Sequence, residues 1–202
     1  MSHTIKDIKQ LPTVKQLIHI CRSLALLDAI LMTDWEYRYF SFNCLWNEDD
    51  GEMMASLRDG SGSEYFILIS QKGAVGKVFD PSIISDSDSA IKAIPDAFKS
   101  FVSEPAFSLE NVSYCFWREV QDDTWNVAPN GLNEFPLLKF LTVDAVYYHE
   151  WAQEYYEQEI DLEALKSVYN SLELDEDMLQ KLNPEIELDD LDEDLEEILG
   201  KL

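Results

Sequence analysis

Apolar residues at Val14, Leu17, Ile18, Cys21, Leu24, Ala25 and Leu31 recur at helical spacing. Thr13 and Gln16 stand at the spacing of a capping box just after Pro12, so a first amphipathic helix is expected to end near Met32. The period then changes. Residues 35–46 (WEYRYFSFNCLW) alternate roughly and carry aromatics on both faces, which reads as a strand. Residues 53–57, 64–70 (EYFILIS) and 74–79 read as three more, separated by an acidic turn, a loop of breakers (DGSGS) and the Lys72-Gly73 turn. Four short strands on tight turns predict an antiparallel meander, not repeated βαβ units.

Ile91, Ile94, Phe98 and Phe101 mark a helical stretch over residues 89–101, in which Pro95 starts a second turn or makes a kink. Residues 111–129 (NVSYCFWREVQDDTWNVAP) read as two strands joined across Gln121-Asp122-Asp123, and this hairpin is expected to be the centre of the fold. A short apolar segment follows at residues 135–141, and from Thr142, a good N-cap, the pattern is helical throughout. Val143, Val146, Tyr147, Trp151 and Tyr155 share one side of the next helix, with Glu150, Glu154 and Glu157 on the opposite flank. Asp161 and Asp175 are expected to cap two further helices, the second ended by Asn183-Pro184. Leu188, Leu191, Leu195, Ile198 and Leu199 then form an apolar stripe within an otherwise acidic tail, with Gly200 as C-cap. That stripe must pack on this chain or on a partner.

The pattern predicts an α+β fold: an antiparallel sheet of about six strands, an N-terminal helix and a C-terminal helical layer. Residues 1–141 would form the core, and the acidic helices of residues 142–202 would pack on it as one domain.

Composition sharpens this picture. With 46% hydrophobic residues in 202, the chain can bury a substantial core. Its formal net charge of -25 argues against nucleic acid and anionic membrane as ligands. The excess is concentrated, with 19 acidic residues and three lysines from Glu150 onward. Three cysteines without paired spacing, and a polar start with no apolar leader, lead to an expected cytoplasmic location.

Motifs for chemistry are missing. The three histidines are far apart and no Cys/His pair has zinc-site spacing. Gly73-Ala74-Val75-Gly76-Lys77 lacks the spacing and the hydroxyl of a phosphate loop, and there is no Gly-x-Ser-x-Gly nucleophile turn. No catalytic residue, metal or cofactor is assigned. Two candidate sites remain. Trp117, Arg118 and Trp125 could form a ligand pocket in which an arginine flanked by tryptophans stacks on its ligand. Glu150, Glu154, Glu157, Asp189, Asp190, Glu193, Asp194 and Glu197 could form an acidic face that meets a basic protein. The first reading of function is a non-enzymatic binding protein using that face. The alternatives are a small-molecule sensor or enzyme built around Arg118, and homo-oligomerisation through the C-terminal helices.

The segments CRSLALLDAI, EYRYFSFN, EMMASLRDGSGSEYFIL, SEPAFSLENVSYCFWR and EWAQEYYE, with the Leu182-Asn183-Pro184 turn and the acidic tail, resemble an uncharacterised family of acidic bacterial cytosolic proteins of about this length. The resemblance implies no particular activity and carries no catalytic residues over. In composition and layout the chain is also similar to toxin-immunity proteins related to fungal cell-wall assembly regulators, which implies neutralising a toxin by direct binding.

Overall fold

The computed structural model describes residues 4–129 and 131–200. Its framework is one six-stranded antiparallel sheet in the order β1 (Phe40–Asn47), β2 (Glu52–Arg58), β3 (Glu64–Ser70), β4 (Gly73–Phe79), β5 (Tyr114–Glu119) and β6 (Asn126–Ala128). Every strand pairs with its neighbour in sequence, so the meander expected for the first four extends through all six. The sheet is central in a literal sense at β3 and β4. The β5–β6 hairpin, expected at the centre, closes one edge instead, because β6 is only three residues long and pairs on one side.

Alternation along the strands sends side chains to two cores. Ala55, Leu57, Tyr65, Ile67, Ile69, Val78, Tyr114 and Phe116 face the larger one. There they meet α1 (Val14–Leu31), α4 (Ala145–Tyr156), α5 (Leu162–Ser171), α6 (Glu176–Leu182) and α7 (Asp192–Leu199). Met54, Leu68, Val75 and Cys115 face the smaller one, roofed by α2 (Ser87–Lys92), α3 (Lys99–Ser103) and the loop through Phe107 and Val112. The C-terminal helices thus share the main core with the sheet: Leu165, Val168, Leu182, Leu191 and Ile198 belong to the same buried cluster as Leu24, Phe40 and Ile67.

Local signals explain the helix boundaries. Thr13 and Gln16 make the reciprocal capping box at the start of α1. Asp161 and Asp175 accept from the backbone of Ala164 and Met178 to start α5 and α6. The expected break at Pro95 is present: α2 ends at Lys92, and Pro95, which cannot donate to the preceding turn, opens a 3-10 turn over Asp96–Phe98 that leads into α3. Two boundaries differ from expectation. The cap of α4 is Asp144, whose carboxylate accepts from Tyr147 N, while the Thr142 hydroxyl donates to the Lys139 carbonyl in the preceding turn. Strand β1 starts at Phe40, not at Trp35; residues Trp35–Tyr37 form a 3-10 turn because the chain is still wrapping the end of α1.

Two glycines are required by packing. A Cβ on Gly73 would lie 2.1 Å from the Arg118 carbonyl oxygen, and its φ of +128° suits only glycine. A Cβ on Gly76 would meet the Phe116 ring at 2.6 Å. The Gly-x-x-Gly-Lys stretch is therefore a hairpin strand flattened for its neighbours. Its lysine, Lys77, is fully buried and binds Glu64 Oε1 at 2.7 Å and the carbonyls of Ser108 and Asn111 at 3.2 and 3.1 Å. It ties the loop over the smaller core to the sheet.

Candidate protein-interaction site

An α-helix leaves its last carbonyls without partners, and at α1 these are taken up by side chains distant in sequence. Asn183 Nδ2 donates to Ile30 O at 2.7 Å and Gln158 Nε2 to Leu31 O at 3.2 Å. Arg38 Nε donates to Met32 O at 2.7 Å, and its Nη2 reaches Thr33 O at 3.2 Å. The same guanidinium holds Asp194 on α7 through both carboxylate oxygens, with Nη2 to Oδ2 at 2.9 Å. A planar fork suits this double duty where a lysine would not. Beneath the ion pair, Leu191 and Ile198 are buried and Leu195 and Leu199 pack on the core. The apolar stripe of the tail docks on its own chain.

Its outward side is acidic. Asp189, Asp190, Asp192, Glu193, Asp194 and Glu197 line an open groove of about 600 Å3 together with Thr33, Trp35 and Arg38. Among the described residues Arg38 is the only base in that lining, and Asp194 already neutralises it. Partial burial, reinforced by Asp194, pushes the Glu197 carboxyl above its ordinary range. Trp35 is 52% exposed at the rim, with the Arg58 guanidinium 4.3 Å from its ring centre, and Tyr37 beside it in sequence is 61% exposed. A second cleft of about 460 Å3 continues from Asp189 past Glu187 and Glu176. Among the described residues no group of three or more His, Cys, Asp or Glu side chains could hold a metal ion. What the arrangement offers chemically is a concave negative potential with an aromatic edge.

The structure brings five of the eight acidic candidates, Asp189, Asp190, Glu193, Asp194 and Glu197, to this groove. Glu150, Glu154 and Glu157 are exposed on α4 and do not line it. Trp117, Arg118 and Trp125 are not brought together. Trp117 packs on the smaller core, whereas Trp125 is buried in the larger one with its indole N–H donating to Pro12 O at 2.7 Å. Arg118 bonds the Asp122 carbonyl across its own hairpin turn, and Asp122 accepts from Glu119 N, the turn role its residue type suggests. Sequence reasoning missed Trp35, Arg38 and Asp192. The available signal was Arg38, a lone cation in an aromatic run, which assigning residues 35–46 to one strand obscured.

One more buried charge shapes this region. Asp28 on α1 is fully enclosed and accepts from Tyr39 N at 2.8 Å, Phe40 N at 2.7 Å and the Tyr148 hydroxyl at 2.5 Å. It thereby pins the start of β1 and the middle of α4 to the first helix. Burial pushes its carboxyl up to about 6 against the opposing pull of those hydrogen bonds. Tyr39, Phe40, Phe140, Trp151 and Tyr155 pack on one another in edge-to-face contacts next to these bonds, and the fully buried, hydrogen-bonded carboxylate acts as a structural tie.

No family model, curated protein or solved structure matches the chain.

Proposed function

We propose that this is a non-enzymatic binding protein whose acidic C-terminal face captures a basic protein, in the manner of an immunity-like inhibitor. One observation carries the reading: five of the acidic positions singled out by charge line a single groove whose one base among the described residues is already spent on Asp194. Excess carboxylates held on one concave surface cost stability through mutual repulsion, and the cost is offset when a cationic surface arrives. The half-exposed Trp35 adds a flat aromatic contact of the kind that anchors interfaces, and its ring also attracts cations. Electrostatic steering gives such a face a fast association rate, which suits an inhibitor that must reach its target before the target acts. The resemblance in composition and layout to toxin-immunity proteins, read from the sequence, is in line with the same class of role in the cytoplasm.

The test is capture from a lysate of the source cells on immobilised protein, eluted by a salt gradient. It is run in parallel with an Asp189→Lys/Asp190→Lys/Glu193→Lys variant that spares the structural Asp194. A basic protein should elute from the wild type as salt rises and be missing from the variant. Equal retention on the variant, or no basic protein under varied growth conditions, would overturn the reading.

A further inference from the structure

On the opposite side of the sheet from the acidic groove, the β1–β2 turn and α3 enclose an open cleft of about 340 Å3. Its lining includes Trp46, Asn47, Glu52, Ser100, Ser103 and Glu104. The feature of interest is Glu52, which is only 7% exposed. Its Oε1 accepts from the Ser100 hydroxyl at 2.6 Å and its Oε2 from Asn47 Nδ2 at 3.3 Å, both neutral donors. Among the described residues three ion pairs form, and none involves Glu52.

Carboxylates taken this far from water are ordinarily paired with a cation. Lys77, the other deeply buried charge on this side of the sheet, follows that rule through Glu64. Glu52 does not. A carboxylate offers about four acceptor positions, so with one neutral donor on each oxygen about two remain. Glu104 brings a second carboxylate to the lining, although its Oε1 is engaged by Ala106 N at 3.0 Å. Trp46 is stacked on Phe107 at 5.7 Å between ring centres, which holds the indole in place as a wall of the cleft. The residue set is that of a cation receptor: a buried anion oriented by hydrogen bonds, a second anion at hand, hydroxyls and a fixed aromatic surface.

We infer that this cleft binds a small organic cation, an alkylammonium or guanidinium group, with Glu52 as its counter-ion and Trp46 as its aromatic wall. The occupant completes the ion pair that the fold leaves half made. The volume suits a molecule of a few heavy atoms or the tip of a lysine or arginine side chain. The site lies apart from the groove proposed to bind a basic protein, and the inference does not depend on that proposal.

Agmatine and n-butylammonium are the probes, with n-butanol as the uncharged control, titrated into the wild type by calorimetry at moderate salt to suppress diffuse binding. Glu52→Gln keeps the shape of the side chain and removes its charge, and should weaken binding roughly ten- to a hundredfold. Asp189→Asn/Asp190→Asn/Glu193→Gln, which neutralises the groove, should leave affinity within about twofold, because exposed charges so far away are screened. Amide shifts in the wild type should concentrate at Asn47, Ser100 and Ser103, and this mapping decides the matter even if Glu52→Gln unfolds. No saturable binding of either cation, shifts confined to the groove, or affinity unchanged in Glu52→Gln would overturn the inference. With the small cations bound, tighter binding of the free cations than of a lysine- or arginine-bearing peptide assigns the site to free metabolites, whereas tighter binding of the peptide, with shifts at the same amides, assigns it to a protein side chain.

Discussion

Asp28 and Lys77 show how a single buried charge can organise a neighbourhood. Asp28 holds its proton more tightly in the folded chain than in the unfolded one, since burial raises its carboxyl from 3.8 to about 6. Between those values the native state carries more of this proton than the unfolded state, so the contribution of Asp28 to stability falls as pH rises through the window and levels off above it. Urea unfolding from about pH 5 to pH 7 should therefore show a declining component that Asp28→Asn abolishes. Lys77 behaves differently because its partners are already in place. Lys77→Met leaves the Ser108 and Asn111 carbonyls without their donor, and should cost roughly 2–4 kcal/mol, moderated by the partial access of Glu64 to water.

At the scale of elements, the tail helix is held by packing and by the Arg38–Asp194 pair, while Asp189, Asp190, Glu193 and Glu197 line the groove. Leu191→Ala should destabilise by about 2–5 kcal/mol, as expected for a large-to-small change in a core, whereas neutralising Asp189, Asp190 and Glu193 should leave unfolding midpoints equal or higher. Glu157 ends α4 at a φ of +54°, so Glu157→Gly should stabilise by up to about 1 kcal/mol in thermal unfolding. Much of this level was legible from the chain. The strands at residues 64–70 and 74–79, the caps at Thr13, Asp161 and Asp175, and the tail's apolar stripe all follow from local period and cap chemistry. What was not legible depends on contacts distant in sequence. Arg38 ends the first helix and grips Asp194, 156 positions away, so no local pattern marks where β1 must begin. Trp117 and Trp125 fall on opposite faces because strand alternation and the turn between them set their directions, which composition does not reveal. Glu52 looked like one acid among 40 until its burial was known.

For the whole molecule, the net charge of -25 acts against compactness everywhere at once. Raising sodium chloride from about 10 mM to 0.5 M shortens the screening length several-fold, and the urea midpoint should rise with it. A midpoint that falls or stays fixed would show that local ion pairs such as Arg38–Asp194 outweigh the general repulsion.

The order of the strands sets a timetable for a chain made from its N-terminus. Each strand needs only the one before it, so the sheet can zip as it leaves the ribosome. The first helix must wait. Its end is sealed by Gln158, Asn183 and, through Arg38, Asp194, and its flank is covered by Leu165, Val168, Leu182 and Ile198. Until those residues have been synthesised, Leu24, Leu27 and their neighbours lack their final cover. A nascent chain stalled before residue 160 therefore presents a greasy surface that chaperones would recognise, and the emergence of residues 160–199 is the event that hides it.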